Sequence, residues 1–182
     1  MIGLLPTTLK VENREYKIRS DFRVALLIFQ AYNDPELSDY EKAMVCVECL
    51  YIEIPHNYRQ AIKQAMWFLD GGDMPKSRKA PKKIIDWEQD ESIIFPALNK
   101  VAGCETRAVE YLHWWSFLGL FNEVGEGLYS SVMNIRAKKA KGRKLEKWET
   151  EFYNDHKELV DLKHKLTAEE QEELDFVNSI IG

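Results

Sequence analysis

Cysteine is scarce in this 182-residue chain and odd in number, with only Cys46, Cys49 and Cys104. That excludes a disulfide-stapled secreted scaffold and points to a reducing compartment. The opening MIGLLPTTLKVENREY lacks a basic-then-apolar layout, so no signal peptide is expected. No apolar run approaches the ~18 residues of a membrane span, because the densest block is bounded by Glu110 and Glu123. A membrane is therefore not an expected partner. A glycine-rich phosphate loop is also missing, since GEG at 125–127 is not followed by Lys-Ser/Thr. Cys46-Val-Glu-Cys49 has CxxC spacing, but a position inside a helix denies either thiolate an activating dipole. A closed zinc site would need two more ligands, and only Cys104 and the scattered histidines 56, 113, 156 and 164 remain. Buried, inert thiols are the simpler reading. No catalytic residue, metal or cofactor is expected, and the chain does not read as an enzyme.

What is present is apolar patterning. At 45% hydrophobic residues the chain is long enough to bury a sizeable core. Strand material is confined to residues 4–19, where Leu9, Val11, Tyr16 and Ile18 alternate around Glu12-Asn13 and predict a β-hairpin. From Ser20 the spacing turns helical, with Phe22, Ala25, Leu26 and Phe29 on one side and a stop before Asp34-Pro35. Ser38 and Glu41 form a capping box for a second helix. A third is expected from about His56 to Leu69, with Gly71-Gly72 as its exit.

Residues 73–83, DMPKSRKAPKK, hold two prolines and five basic residues. They predict a basic linker between an N-terminal hairpin-plus-helix subdomain, 1–72, and a helical subdomain, 84–182, or a loop within one integrated domain. A helix capped by Asp86 is expected to run to Gly103, irregular where Pro96 removes a hydrogen bond. The block HWWSFLGLF, 113–121, is placed in a helix from about Thr106 to Val124, with His113 and Ser116 on a narrow polar strip and Gly119 admitting a close neighbour. Trp114, Trp115, Phe117 and Phe121 are assigned to the core; the alternative is an arc left uncovered for a partner. Two helices separated by Gly142 follow, and Thr167 with Glu170 caps a last one. The fold class is mainly α, a multi-helix bundle-like domain with an N-terminal β-hairpin.

The net charge of −5 hides a segregation. Residues 136–147 carry seven basic residues and one acid, whereas 149–175 carry ten acids and three lysines. The two could attract within a chain or head to tail between copies, so self-association is expected. Past Gly142, Leu145, Trp148, Phe152, Leu159, Leu162 and Leu166 recur at alternating three and four spacing apart from Asp155 at the central slot, a coiled-coil-like stripe for the chain's own core or a partner helix. Arg136, Lys138, Lys139 and Lys144 as charge contacts, with Trp148, Phe152 and Leu159 as apolar ones, form the candidate partner-binding set. The basic run beside Trp148 could instead meet nucleic acid, which is not the favoured partner.

LHWWSFLGLF, followed by SVMNIRAKKAKGRKLEKWETEFYNDHKEL, resembles the gene-product-fifteen group of bacteriophage and prophage proteins from Gram-positive hosts. IIDWEQDESIIFPALNKVAG and the hairpin running into SDFRVALLIF are also similar, so the resemblance covers nearly the whole chain. It implies a protein encoded among the tail genes of phages with long, non-contractile tails. The implied role is that of a tail assembly chaperone in the host bacterial cytoplasm. Such a protein binds the tape-measure protein, and possibly the tail-tube protein, and keeps its client soluble during assembly. The family offers no catalytic residues to carry over. A minor structural component of the tail is the alternative within the same class.

Overall fold

The computed structural model describes residues 3–73, 83–163 and 165–181, with residues 180 and 181 described by their backbone alone. Most of the linker expected at 73–83, residues 74–82, lies outside the described residues. The chain is mainly helical after one hairpin. Strands β1 (Thr8–Val11) and β2 (Arg14–Lys17) pair antiparallel with Leu9 opposite Tyr16. Their turn places Glu12 at φ 57°, a left-handed conformation unusual for a residue with a side chain. Asn57 and Gln60 hold it there: the Glu12 amide donates to Gln60 Oε1 at 2.7 Å, and Asn57 Nδ2 donates to the Glu12 carboxylate at 2.7 Å.

Helices α1 (Phe22–Tyr32), α2 (Asp39–Leu50) and α3 (Tyr58–Leu69) follow. The Asp21 side chain caps α1 and the Ser38–Glu41 capping box opens α2, so local signals place both starts. The carboxy-terminal elements are α4 (Glu91–Ala102), α5 (Trp114–Asn122), α6 (Leu128–Ala140), α7 (Lys147–Asp155), α8 (Lys157–Val160) and α9 (Ala168–Ile181). Helix α4 starts four residues later than a cap at Asp86 suggests, with Asp90 at its N-cap position. Asp86 does accept from backbone amides, those of Glu88 and Gln89, but within a turn that precedes the helix. Pro96 sits inside α4, and the left-handed Gly103 ends it at φ 69°.

The segments on either side of 73–83 share one core. Backbone bridges bracket residues 18–22: Arg19 N donates to Leu50 O at 2.8 Å, Phe22 N to Leu112 O at 2.9 Å, and Trp114 N to Ser20 O at 2.8 Å. The Phe22 ring of α1 stacks on Phe117 of α5 at 4.7 Å between centroids and 5° between planes. Ile28, Val47, Leu50, Leu98, Phe117, Val132 and Ile135 are fully buried in the same cluster. No helix among the described residues is long and apolar enough to cross a membrane.

Candidate interaction surfaces

The tryptophan block is built differently from the helix its spacing suggests. Residues 106–108 form a short 3-10 turn, 109–113 are non-helical, with a bend at 109–110 and a bridge at His113, and α5 begins at Trp114. His113 is therefore a buried N-cap, not part of a polar strip. Its Nδ1 accepts from the Trp115 amide at 3.0 Å, and Nε2 lies 2.9 Å from Pro6 O. The non-helical segment exists because residues 112–114 are hydrogen-bonded beside residues 20–22, a long-range pairing that helical periodicity cannot register. Trp114 and Phe117 are buried, while Trp115 and Phe121 are half-buried and packed against the same cluster. Each indole N–H donates to the end of α3: Trp114 Nε1 to Leu69 O at 2.9 Å and Trp115 Nε1 to Phe68 O at 2.8 Å. Close approach occurs at Gly72 (φ 94°), where a Cβ would stand 2.9 Å from Trp115 Cη2; Gly119 has nothing within 4 Å.

Arg136 does not belong to any charged outer surface. Its side chain is 4% exposed and pairs bidentately with Asp90, which is 0% exposed, at 2.6 and 2.8 Å. The same guanidinium donates to Val160 O (2.7 Å), Leu159 O (2.8 Å) and Ile84 O (3.0 Å). It thus ties α6 to the last carbonyls of α8 and to the approach of α4, and as a partner contact it is withdrawn. Nothing in RAKKAKGRK separates this arginine from its solvated neighbours; only the packing of α8 against α6 does.

The coiled-coil-like stripe is also revised. The helix breaks at His156, with α7 before it and the four-residue α8 after it, so Trp148, Phe152 and Leu159 do not share a continuous helical face. The break turns Val160 into the core and brings the α8 carbonyls to Arg136. Phe152 and Leu159 are half-buried against the core, whereas Trp148 remains 49% exposed.

Charge pairing between the basic and acidic segments occurs within the chain. Lys138 Nζ donates to Glu149 Oε1 at 2.6 Å, and Glu149 is fully buried, accepting also from Asn134 Nδ2 and the Glu146 amide. The Lys138 ammonium, with that amide, holds the Glu149 carboxyl below the usual range. Lys139 Nζ lies 2.6 Å from Asp161 Oδ1 and 3.7 Å from the centre of the Tyr153 ring, whose hydroxyl donates to Asp161 Oδ2. Lys141, Arg143, Lys144 and Lys147 are exposed, and none has an ion pair among the described residues. Lys144 is thus the one cation of the candidate set that is both exposed and unpaired there.

Two surface features escape the sequence reading. A groove of about 360 Å³ opens between α1 and the approach to α4, with Phe22, Leu26, Leu27, Trp87 and Phe95 along it and Arg107 at its rim. Leu27 there is 56% exposed. Helix α9, opened by the expected Thr167–Glu170 capping box, is exposed at every residue from Ala168 to Ser179. In the CxxC pair, Cys46 is buried and Cys49 half-buried on α2, and burial raises both thiols. Among the described residues no cluster of three His, Cys, Asp or Glu side chains could hold a metal ion.

Comparison with known proteins decides the lineage. The family model described as Bacteriophage Gp15 protein matches residues 1–162. The chain belongs to that family. No curated protein and no solved structure matches it. Family membership makes it a bacteriophage protein and suggests a structural or morphogenetic one. The matched span takes in the hairpin, the tryptophan block and the Arg136 centre, and stops short of α9.

Proposed function

We propose that this protein is a tail assembly chaperone of a siphophage of Gram-positive bacteria, acting in the host cytoplasm to keep the tape-measure protein soluble while the tail tube is built around it. The family match across residues 1–162 carries the reading. The surface chemistry suits it: a tape-measure chain is long and largely helical, and its apolar stripes need many weak, reversible contacts. The groove between α1 and the start of α4 offers Leu26, Leu27 and Phe95 to an apolar side chain of a client helix, with Arg107 and Glu91 beside it for polar neighbours. Trp148 and Lys144 supply a second contact patch. From the candidate set, Phe152 and Leu159 pack against the core, Lys138 and Lys139 are held by Glu149 and Asp161, and Arg136 serves the fold.

The test is coexpression of the tagged protein with neighbouring tail genes, nuclease treatment, affinity capture and mass spectrometry of what is retained. Recovery of the tape-measure product with several-fold excess of this protein is the expected result, and Leu27→Glu should reduce it. Capture of the tag alone, with nucleic acid retained in the untreated sample, would replace this reading with one in which Arg143, Lys144 and Lys147 beside Trp148 bind phosphate and base. Presence of the protein in purified virions would instead favour a minor tail component.

A further inference from the structure

Helix α9 combines two properties that together ask for a partner. Its first eight residues carry Glu169, Glu170, Glu172, Glu173 and Asp175 with no basic residue, and Leu174 (46%), Phe176 (67%) and Val177 (47%) are exposed around its middle. A 14-residue helix is marginal in water without tertiary packing. Yet every described side chain of α9 faces solvent. Among the described residues the body holds its start, where the Ala168 amide donates to Glu36 and Lys165 pairs with Glu88.

The chain also displays the complement. Around the turn from α6 into α7, Lys141, Arg143, Lys144 and Lys147 are exposed beside the half-exposed Trp148. The acid within this patch, Glu146, is engaged by Lys138 and by the Trp148 indole N–H. An acidic helix with exposed apolar residues and a basic patch with an aromatic plate match in charge and in apolar content. Among the described residues of one chain no contact joins the two, and α9 is exposed from Ala168 to Ser179.

We propose that α9 is an arm that docks on the Trp148 patch of a second copy of this chain. The contact is heterologous, arm to patch, so each added copy presents a free arm and a free patch, and the assembly grows as an open array unless its rotation closes it. One short helix buries less than a standard interface, which makes the contact weak, concentration-dependent and sensitive to salt. This self-association does not rest on the chaperone reading, and the purified chain alone tests it.

Sedimentation velocity of the full chain is compared at about 50 mM and about 500 mM salt, conditions that span strong and weak screening of exposed charges. Two variants accompany it: R143E/K144E/K147E in the patch and E169K/E172K/E173K in the arm. All six positions are exposed, and circular dichroism checks that both variants fold. The wild type is expected to gain mass with concentration at low salt and lose that gain at high salt. Each variant should stay monomeric, and an equimolar mixture of the two should associate again through the reversed pair. A wild type that is monomeric throughout overturns the proposal, as does association that survives both reversals. A monomer that merely becomes less compact on either reversal also overturns it, because the arm would then serve its own patch.

Discussion

Replacing Arg136 by methionine removes five donated hydrogen bonds from one side chain and leaves the Asp90 carboxylate inside the protein with the Asp86 amide as its one partner among the described residues. Removing one member of a buried ion pair costs about 3–5 kcal/mol, chiefly because the remaining charge stays desolvated. The carbonyls of Ile84, Leu159 and Val160 lose a donor as well. Each such loss is worth about 1 kcal/mol where water cannot replace it, although these terms overlap with the first. A total near 4 kcal/mol is a large fraction of the ~5–15 kcal/mol stability of an ordinary domain. In urea, with a slope of about 2 kcal/mol/M, it moves the midpoint down by about 2 M. On heating it lowers Tm by roughly 8–16 °C. Arg136→Lys should recover little, since an ammonium cannot span Asp90 and three carbonyls at once. Asp90→Asn in the Arg136→Met background should recover part of the loss by removing the stranded charge. Lys144→Met, on the exposed part of the same basic run, should shift the midpoint hardly at all. An Arg136→Met variant within about 1 kcal/mol of wild type would refute the buried-hub reasoning.

Two further outcomes follow from individual residues. Gly72→Ala combines a left-handed backbone with a Cβ 2.9 Å from Trp115, while Gly103→Ala has the same backbone problem in open space. Thermal unfolding should show about 1 kcal/mol lost at Gly103 and clearly more at Gly72, with equal losses counting against the close approach. The Glu149 carboxyl sits below its ordinary value of 4.5 in the folded protein, so its contribution is complete above that pH and disappears as pH falls through the depressed folded value. Glu149→Gln should flatten the acid limb of stability against pH below about 4.5, and an unchanged slope would show that Lys138 is not holding the carboxylate.

Much of the fold was legible because its cues are local. The hairpin alternates around Glu12-Asn13, Ser38–Glu41 and Thr167–Glu170 cap their helices through bonds three residues apart, and Gly71, Gly72 and Gly103 take left-handed backbones after helices. The signals for each lie among sequence neighbours, so composition and spacing reveal them, even where Asn57 and Gln60 also hold the hairpin turn at Glu12. The family resemblance was legible for a related reason, because it rides on contiguous words of the chain that the family match also spans.

The interaction surfaces were less legible, because what a charged or aromatic residue does depends on what the fold places opposite it. Arg136 and Lys144 occupy the same basic run, yet α8 covers the first and no described residue covers the second. Helical spacing joins Trp148 to Leu159, but the chain breaks at His156 because burying Val160 and delivering the Leu159 and Val160 carbonyls to Arg136 outweighs continuing one short helix. Likewise residues 109–113 leave the helix that their spacing permits in order to bond beside residues 20–22. The sequence by itself therefore determined the elements, their caps and the apolar content of the core. Tertiary structure alone decided which cations stay in water, since desolvation and long-range hydrogen bonding act between segments that sequence separation keeps apart.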